Sequence, residues 1–257
     1  MKPLLELRDV SKNFDGVLAI ADLSFGVPKN VVKAIIGPNG AGKTTLINMI
    51  TGMIRPSSGE IVFNGRAITN LKPHVISALG IARTFQAVEL FENMTVTENV
   101  MVGCHVRSHK GIVSSALRLP GVGREEAEIG KRAIEYLKFV GIEQYKDRMA
   151  GTVPFGVQRL VEMARAGASQ PELLLLDEPA AGLNEAETRK ASQLIRQICE
   201  DRVTVVLVEH DMKMVMAISD EILVIDYGRK IAEGTPDAVK SDPQVIEAYL
   251  GKRRPHA

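Results

Sequence analysis

Four short stretches dominated by aliphatic residues punctuate the chain: Val31-Val32-Lys33-Ala34-Ile35-Ile36, Leu173 to Leu176, Val203 to Val208 and Ile222 to Ile225. Each is too short for a stable helix. Apolar residues on both alternations mean burial on both faces, as in the central strands of a parallel sheet. Leu4 to Leu7 and Leu18 to Val27 alternate more loosely and predict strands with one wet face, joined by a turn over Ser11 to Gly16. Pro56-Ser57-Ser58-Gly59 predicts a turn into a strand over Glu60 to Phe63, and Gly80 to Gln86 predicts a strand ending on a polar residue. Between these lie helical patterns. Thr45 to Ile50 reads as a helix stopping near Gly52. Thr95-Val96-Thr97-Glu98 matches a capping box opening a helix toward Arg107. Ala133, Ile134, Leu137 and Val140 give helical spacing over Arg124 to Val140, with Gly141 as the stop. Ser108 to Gly123 reads as loop. Glu185 to Glu200 is amphipathic, with Ala191, Leu194, Ile195 and Ile198 on one face, and Pro236 after Thr235 predicts a further short helix.

Strands alternating with helices imply parallel βαβ units, so the expected class is α/β. The first 65 or so residues mix antiparallel strands into this, and about 87 to 165 reads as a helical lobe inserted between core strands. Composition changes little. The chain of 257 residues is 45% apolar and 25% charged, ordinary for a globular protein. A net charge of +1 creates no field that would draw in nucleic acid or an anionic membrane. No apolar window is long enough to span a bilayer, so a membrane role is expected only through a partner. Cys104 and Cys199 are too few for a disulfide framework. Cys104, His105 and His109 are ligand types, but three in a loop make a poor metal site. Ile112, Val113, Ala116 and Leu117 read as local packing, and Lys252-Arg253-Arg254 as a solvated basic end.

The chemistry starts at Gly37-Pro38-Asn39-Gly40-Ala41-Gly42-Lys43-Thr44-Thr45, which fits G-x-x-x-x-G-K-[ST] between a predicted strand and a predicted helix. Glycines let backbone N–H groups turn inward around phosphate oxygens, and the helix N-terminus adds partial positive charge. Lys43 would reach the β- and γ-phosphates of ATP, and Thr44 would ligate Mg²⁺. Asp177 ends the leucine strand, where a carboxylate points into the ligand crevice and suits Mg²⁺ coordination. Glu178 beside it is a candidate for deprotonating or orienting the attacking water. His210 follows the Val203 to Val208 run at the corresponding strand end and could hold that water near the γ-phosphate. Gln86, another polar strand end, could bind Mg²⁺ or the water.

In this order (P-loop, Gln86, helical lobe, Val153-Pro154-Phe155-Gly156-Val157-Gln158, Asp177-Glu178, His210) the chain resembles the ATP-binding cassette ATPases over essentially its whole length. The resemblance implies a P-loop core with an antiparallel β subdomain and an inserted α-helical subdomain. The core and β subdomain would comprise residues 1–86 and 166–235, the helical and signature part 87–165, and a C-terminal helix and tail 236–257. It also implies that Phe14 stacks on adenine, that Gln86 senses Mg²⁺ and the membrane partner, that Glu178 is the catalytic carboxylate and that His210 is the switch histidine. Ala181-Gly182-Leu183-Asn184 would be the dimer-contacting D-loop. Two such subunits would pair head to tail, with Pro154, Phe155, Gly156, Val157 and Gln158 meeting the nucleotide of the other subunit.

That segment departs from Leu-Ser-Gly-Gly-Gln. Pro154 stands in the serine position, Phe155 in the first glycine position and Val157 in the glutamine position, with Gln158 one residue late. The missing hydroxyl is worth about 1.5–3 kcal/mol toward a charged phosphate, so weaker catalysis is expected at the site it serves. Asp177 to Asn184, Val208 to Lys213, the extended 102–145 segment and Val245 to Gly251 resemble the ATPases of branched-chain amino-acid (LIV-type) importers. That resemblance implies a peripheral protein on the cytoplasmic face of the inner membrane. Its partners would be two permease subunits, a second and usually different ATPase and, indirectly, a periplasmic binding protein. The alternatives are the ATPase of a lipid or lipopolysaccharide exporter and, from another class, a soluble cassette protein of translation, repair or iron–sulfur assembly. A single nucleotide unit, the absence of coiled-coil heptads and the neutral charge count against the soluble readings.

Overall fold

The computed structural model describes residues 2–105 and 122–250. The expectations for the 108–121 loop, His109, the Ile112 to Leu117 face and the basic end at 252–254 lie outside these residues. The described chain runs β1 (Leu5–Phe14), β2 (Val17–Val27), β3 (Val32–Ile36), α1 (Lys43–Ile50), β4 (Ser58–Phe63), β5 (Arg66–Ala67), α2 (Pro73–Ala78) and β6 (Ile81–Arg83). It continues with α3 (Val96–Cys104), α4 (Val122–Phe139), α5 (Phe155–Ala168), β7 (Leu173–Asp177), α6 (Glu185–Glu200) and β8 (Thr204–Val208). The last part is α7 (Met212–Ile218), β9 (Glu221–Asp226), β10 (Arg229–Gly234), α8 (Pro236–Lys240) and α9 (Pro243–Leu250).

Two sheets are formed. One is antiparallel, in the order β2-β1-β4-β5; the other is six-stranded, in the order β10-β9-β3-β8-β7-β6. In the second, β3 pairs parallel with both β8 and β9, and β7 pairs parallel with β6 and β8. β10 joins antiparallel at the edge. The apolar runs therefore sit where double-sided burial predicted, and alternate residues face two different clusters. Ala34, Ile36, Leu174, Leu176, Val205 and Leu207 pack with Val96, Val100, Ala133 and Leu137 from the helical lobe. Ile35, Leu173, Leu175, Val206 and Val208 pack with α1 and the antiparallel sheet.

Local departures from expectation have identifiable causes. β1 does not turn at Ser11; it runs on to Phe14. Register shifts against β2 absorb the polar residues, with the Asp9 N–H donating to Ser24 Oγ (2.7 Å) and Ser11 Oγ to Asp22 Oδ1 (3.0 Å). The strand expected over 80–86 pairs only as Ile81–Arg83, after which Thr84 makes one last bond to Leu175 O (2.9 Å). α1 begins at Lys43 rather than Thr45, and α4 begins at Val122, so residues 122 and 123 are helical and not loop. α3 is capped by the Thr95–Glu98 box as its sequence required, and ends at Cys104. Cys104 is buried in that helix, not in a loop, and burial pushes its thiol pKa up. Among the described residues, no group of three or more His, Cys, Asp or Glu side chains could hold a metal ion. Nor is any described helix long and apolar enough to cross a membrane.

Lys33, inside an otherwise apolar strand, is buried to 1% exposure. Its ammonium donates to Gly26 O (2.7 Å), to Glu221 Oε2 (3.0 Å) and to Glu233 Oε1. A buried charge is tolerated only with such partners, and here they join β3 to β9, to β10 and to the end of β2.

Candidate active site

The C-terminal ends of β3, β8 and β7 lie side by side, with β8 in the middle, and the loops leaving them converge. From β3 comes the glycine-rich loop. A Cβ added at Gly37 would lie 2.0 Å from Ile225 O, so the loop leaves its strand against backbone that leaves no room for a side chain. Gly42 caps α1 with φ 102°, a left-handed conformation that glycine adopts freely. Lys43 opens the helix and its ammonium bends back to Gly37 O (2.7 Å) and Pro38 O (3.1 Å). Burial pushes the Lys43 pKa below its ordinary value, while the Glu178 and Asp177 carboxylates pull the other way. Thr44 is exposed on the first turn of the helix and Thr45 is partly buried beside it.

Asp177, the last residue of β7, is buried to 2% and its Oδ2 accepts from the Arg83 guanidinium at 3.1 Å. Burial raises the Asp177 carboxyl pKa above the usual range, and the Arg83 charge opposes it. Glu178 follows with φ 50°, a strained conformation for a residue with a side chain, held by its N–H bonding Val208 O at 2.9 Å. That kink turns the carboxylate toward the two other expected residues. Gln86 Nε2 donates to Glu178 Oε2 at 3.0 Å, and His210 Nδ1 lies 3.9 Å from the same oxygen. His210 is mostly exposed, so its ring faces the mouth of the crevice.

Phe14, at the end of β1, is half-exposed, with the Lys12 ammonium 4.8 Å from the centre of its ring. The 153–158 segment leads into α5 with Pro154 as its N-cap, and no side chain caps it. Pro154 O instead accepts from the N–H groups of Val157 (2.9 Å) and Gln158 (3.0 Å). Within this chain the segment packs on the 181–184 loop. A Cβ at Gly182 would meet the Phe155 ring at 2.8 Å, and one at Gly156 would meet Glu187 Oε1 at 2.4 Å. Gln158 turns back on Val153 O (3.0 Å).

Residue-by-residue reading of the sequence missed several polar groups that hold these loops. Glu209 is fully buried. Its Oε1 accepts from Ala180 N–H (2.8 Å), and its Oε2 accepts from His210 N–H (3.0 Å) and Asp211 N–H (3.4 Å). It therefore ties the loop after Glu178 to the loop carrying His210. Arg83, Arg159 and Glu162 were also passed over. The only signal for any of them was a charged residue within or beside an apolar pattern.

A family model described as ABC transporter matches residues 20–181, and one described as Branched-chain amino acid ATP-binding cassette transporter matches residues 229–254. The high-affinity branched-chain amino acid transport ATP-binding protein BraF of Pseudomonas aeruginosa is 42% identical over 252 residues, 98% of this chain and 99% of that protein. LivG of Escherichia coli strain K12, with the same description, is 40% identical over the same shares. Among solved structures, an ATP-binding cassette of an ABC transporter in its ADP conformation superposes with a TM-score of 0.85 at 32% identity, covering 98% of this chain and 100% of that one. A dimeric cassette in a post-hydrolysis state with ADP and Pi gives 0.77 at 25% identity, covering 90% and 98%.

Proposed function

The chain belongs to the ATP-binding cassette transporter family, and from that premise we propose that it is the ATP-hydrolysing subunit of an importer of branched-chain amino acids. The observation that carries the hydrolytic part is the convergence of Gln86 and His210 on one oxygen of Glu178, next to the Lys43 and Asp177 charges. The substrate class rests on the full-length likeness to BraF and LivG.

In this reading, the 37–45 loop binds the ATP phosphates through its N–H groups, and Lys43 exchanges its two loop carbonyls for phosphate oxygens. Phe14 offers its ring to the base. The donor set of Thr44 hydroxyl, Asp177 carboxylate and Gln86 amide oxygen is hard and oxygen-only, which suits Mg²⁺, so these three would hold it. When bound, Mg²⁺ supplies charge neutralisation on the phosphates. Glu178 accepts a proton from the attacking water, and His210 and Gln86 fix where its carboxylate points. A second ATPase subunit would present its signature segment to this nucleotide, as residues 154–158 would to the partner's. Permease subunits in the membrane and a periplasmic binding protein complete the proposed complex, with this chain on the cytoplasmic face.

The test is co-purification of a tagged Glu178→Gln chain with ATP from gently extracted membranes. That variant should bind ATP yet turn over at least about a hundredfold slower than the parent, the scale of a lost general base. Two polytopic subunits and a second, different ATPase should accompany it. Recovery of lipid-exporter membrane proteins with a homodimer would overturn the importer assignment, and unchanged turnover would overturn the role of Glu178.

A further inference from the structure

The segment after β6 leaves the sheet at Thr84, so the polar backbone groups of Phe85 and Gln86 lose their ladder partners. Two buried side chains of α5 replace them. Glu162 Oε1 accepts the Phe85 N–H at 2.9 Å, Arg159 Nη1 donates to Phe85 O at 3.0 Å, and Arg159 Nη2 donates to Gln86 O. The two side chains also bond each other (Arg159 Nη1 to Glu162 Oε2, 3.2 Å) and are 4% and 2% exposed. Further along, Arg165 Nη2 holds Glu89 O (2.6 Å), and Asn99 brackets Phe91 by accepting its N–H (2.9 Å) and donating to its carbonyl (3.0 Å). Gln86 itself is exposed, and its side-chain nitrogen reaches Glu178.

A buried ion pair costs desolvation, and an apolar pair of similar volume would often serve stability as well. Here the Arg159 Nε–H is also left without a hydrogen-bond partner among the described residues. Only the backbone of Phe85 and Gln86 uses the pair in full, with a planar guanidinium spanning two successive carbonyls and a carboxylate taking the Phe85 N–H that precedes them. We propose that Arg159 and Glu162 are positioning residues for Gln86: the pair on α5 sets where the Gln86 amide meets Glu178. This rests on the roles given to Gln86 and Glu178 above.

The experiment is a double-mutant cycle in the full-length chain with Arg159→Lys and Gln86→Ala. It is repeated with Glu162→Gln in place of Arg159→Lys, so that one misfolded variant does not end it. A lysine keeps the charge but cannot span two carbonyls. Losing a charged hydrogen bond of this kind corresponds to about tenfold or more. Arg159→Lys should therefore lower kcat by about tenfold, with KM for ATP within about twofold. In the Gln86→Ala background the same substitution should cost less than about twofold, because the residue it positions is gone. Hydrogen exchange of the backbone amides in a peptide spanning residues 84–91 should quicken by about tenfold in both Arg159→Lys and Glu162→Gln. Equal losses with and without Gln86, or unchanged exchange in that peptide, would overturn the proposal. If the parent chain, assembled with the partners it co-purifies with, did not hydrolyse ATP, the function assigned above would be the part that fails, and the exchange measurement alone would decide the clamp.

Discussion

Glu209→Gln isolates one carboxylate whose work can be counted. The side chain is fully buried and accepts three backbone N–H groups, at 2.8 Å from Ala180, 3.0 Å from His210 and 3.4 Å from Asp211. A glutamine keeps the shape but offers one oxygen and one NH₂. Turned to serve His210 and Asp211, it points a donor at the donor of Ala180; flipped, it does so to the other two. At least one charge-assisted bond is lost and one buried N–H is left facing another, which costs about 1.5–3 kcal/mol. At about 2–4 °C per kcal/mol for a domain of this size, the melting temperature should fall by about 3–12 °C. Turnover should fall with it, because the loops carrying Ala180 and His210 lose their common anchor. The assay is differential scanning fluorimetry beside steady-state ATP hydrolysis. Glu60→Gln serves as control: that exposed carboxylate pairs with exposed Arg8 at 2.9 Å, and its loss should leave the melting temperature nearly unchanged. A Glu209→Gln chain melting with the parent would refute the anchoring role, whatever its activity.

Three further outcomes follow from the same geometry. Burial raises the Asp177 pKa in the folded state, so the charged form is a net cost to folding. The stabilisation linked to that raised pKa is complete below the unfolded carboxylate value and is lost as pH rises through the folded value. Asp177→Asn should therefore gain melting temperature relative to the parent at pH above the folded value, the gain should shrink as pH falls through that value toward the unfolded one, and hydrolysis should be lost throughout. Gly37→Ala places a methyl 2.0 Å from Ile225 O, which should shift the loop and weaken ATP binding measured by calorimetry by at least about tenfold. Pro154→Ser gives α5 the side-chain cap it lacks, so the melting temperature should rise by about 2–4 °C for roughly 1 kcal/mol, and turnover in the assembled complex should rise if the hydroxyl also reaches the partner's nucleotide.

The sequence made the class of fold and the phosphate loop legible because both depend on local pattern. Doubly buried strands need continuous apolar runs, and the 37–45 loop needs glycine where backbone closes on backbone. The capping box at Thr95 is likewise closed within four residues. What escaped depends on residues far apart in the chain. Arg159 meets Phe85, Glu209 meets Ala180, and Lys33 meets Glu221 and Glu233; each read alone is a charge in an apolar run. The turn expected over Ser11 to Gly16 is confined to Asp15 and Gly16 for a similar reason. Ser11 is bonded across the strand pair to Asp22, a partner that proximity in sequence does not reveal.

The apolar contacts of the helical lobe are continuous with those of the large sheet. Val96, Val100, Ala133 and Leu137 belong to the same cluster as Leu174, Leu176, Val205 and Leu207. α3, α4 and α5 pack chiefly on one another, so the lobe has an interior, but that interior is open to the sheet on one side. Rotation about a hinge would open that interior to water, whereas sliding along the sheet face keeps it covered, so nucleotide-driven motion should be a shear of small amplitude. For the same reason, the lobe excised as a separate piece should not form an autonomous folding unit, and in native-state exchange its innermost amides should open together with the sheet's.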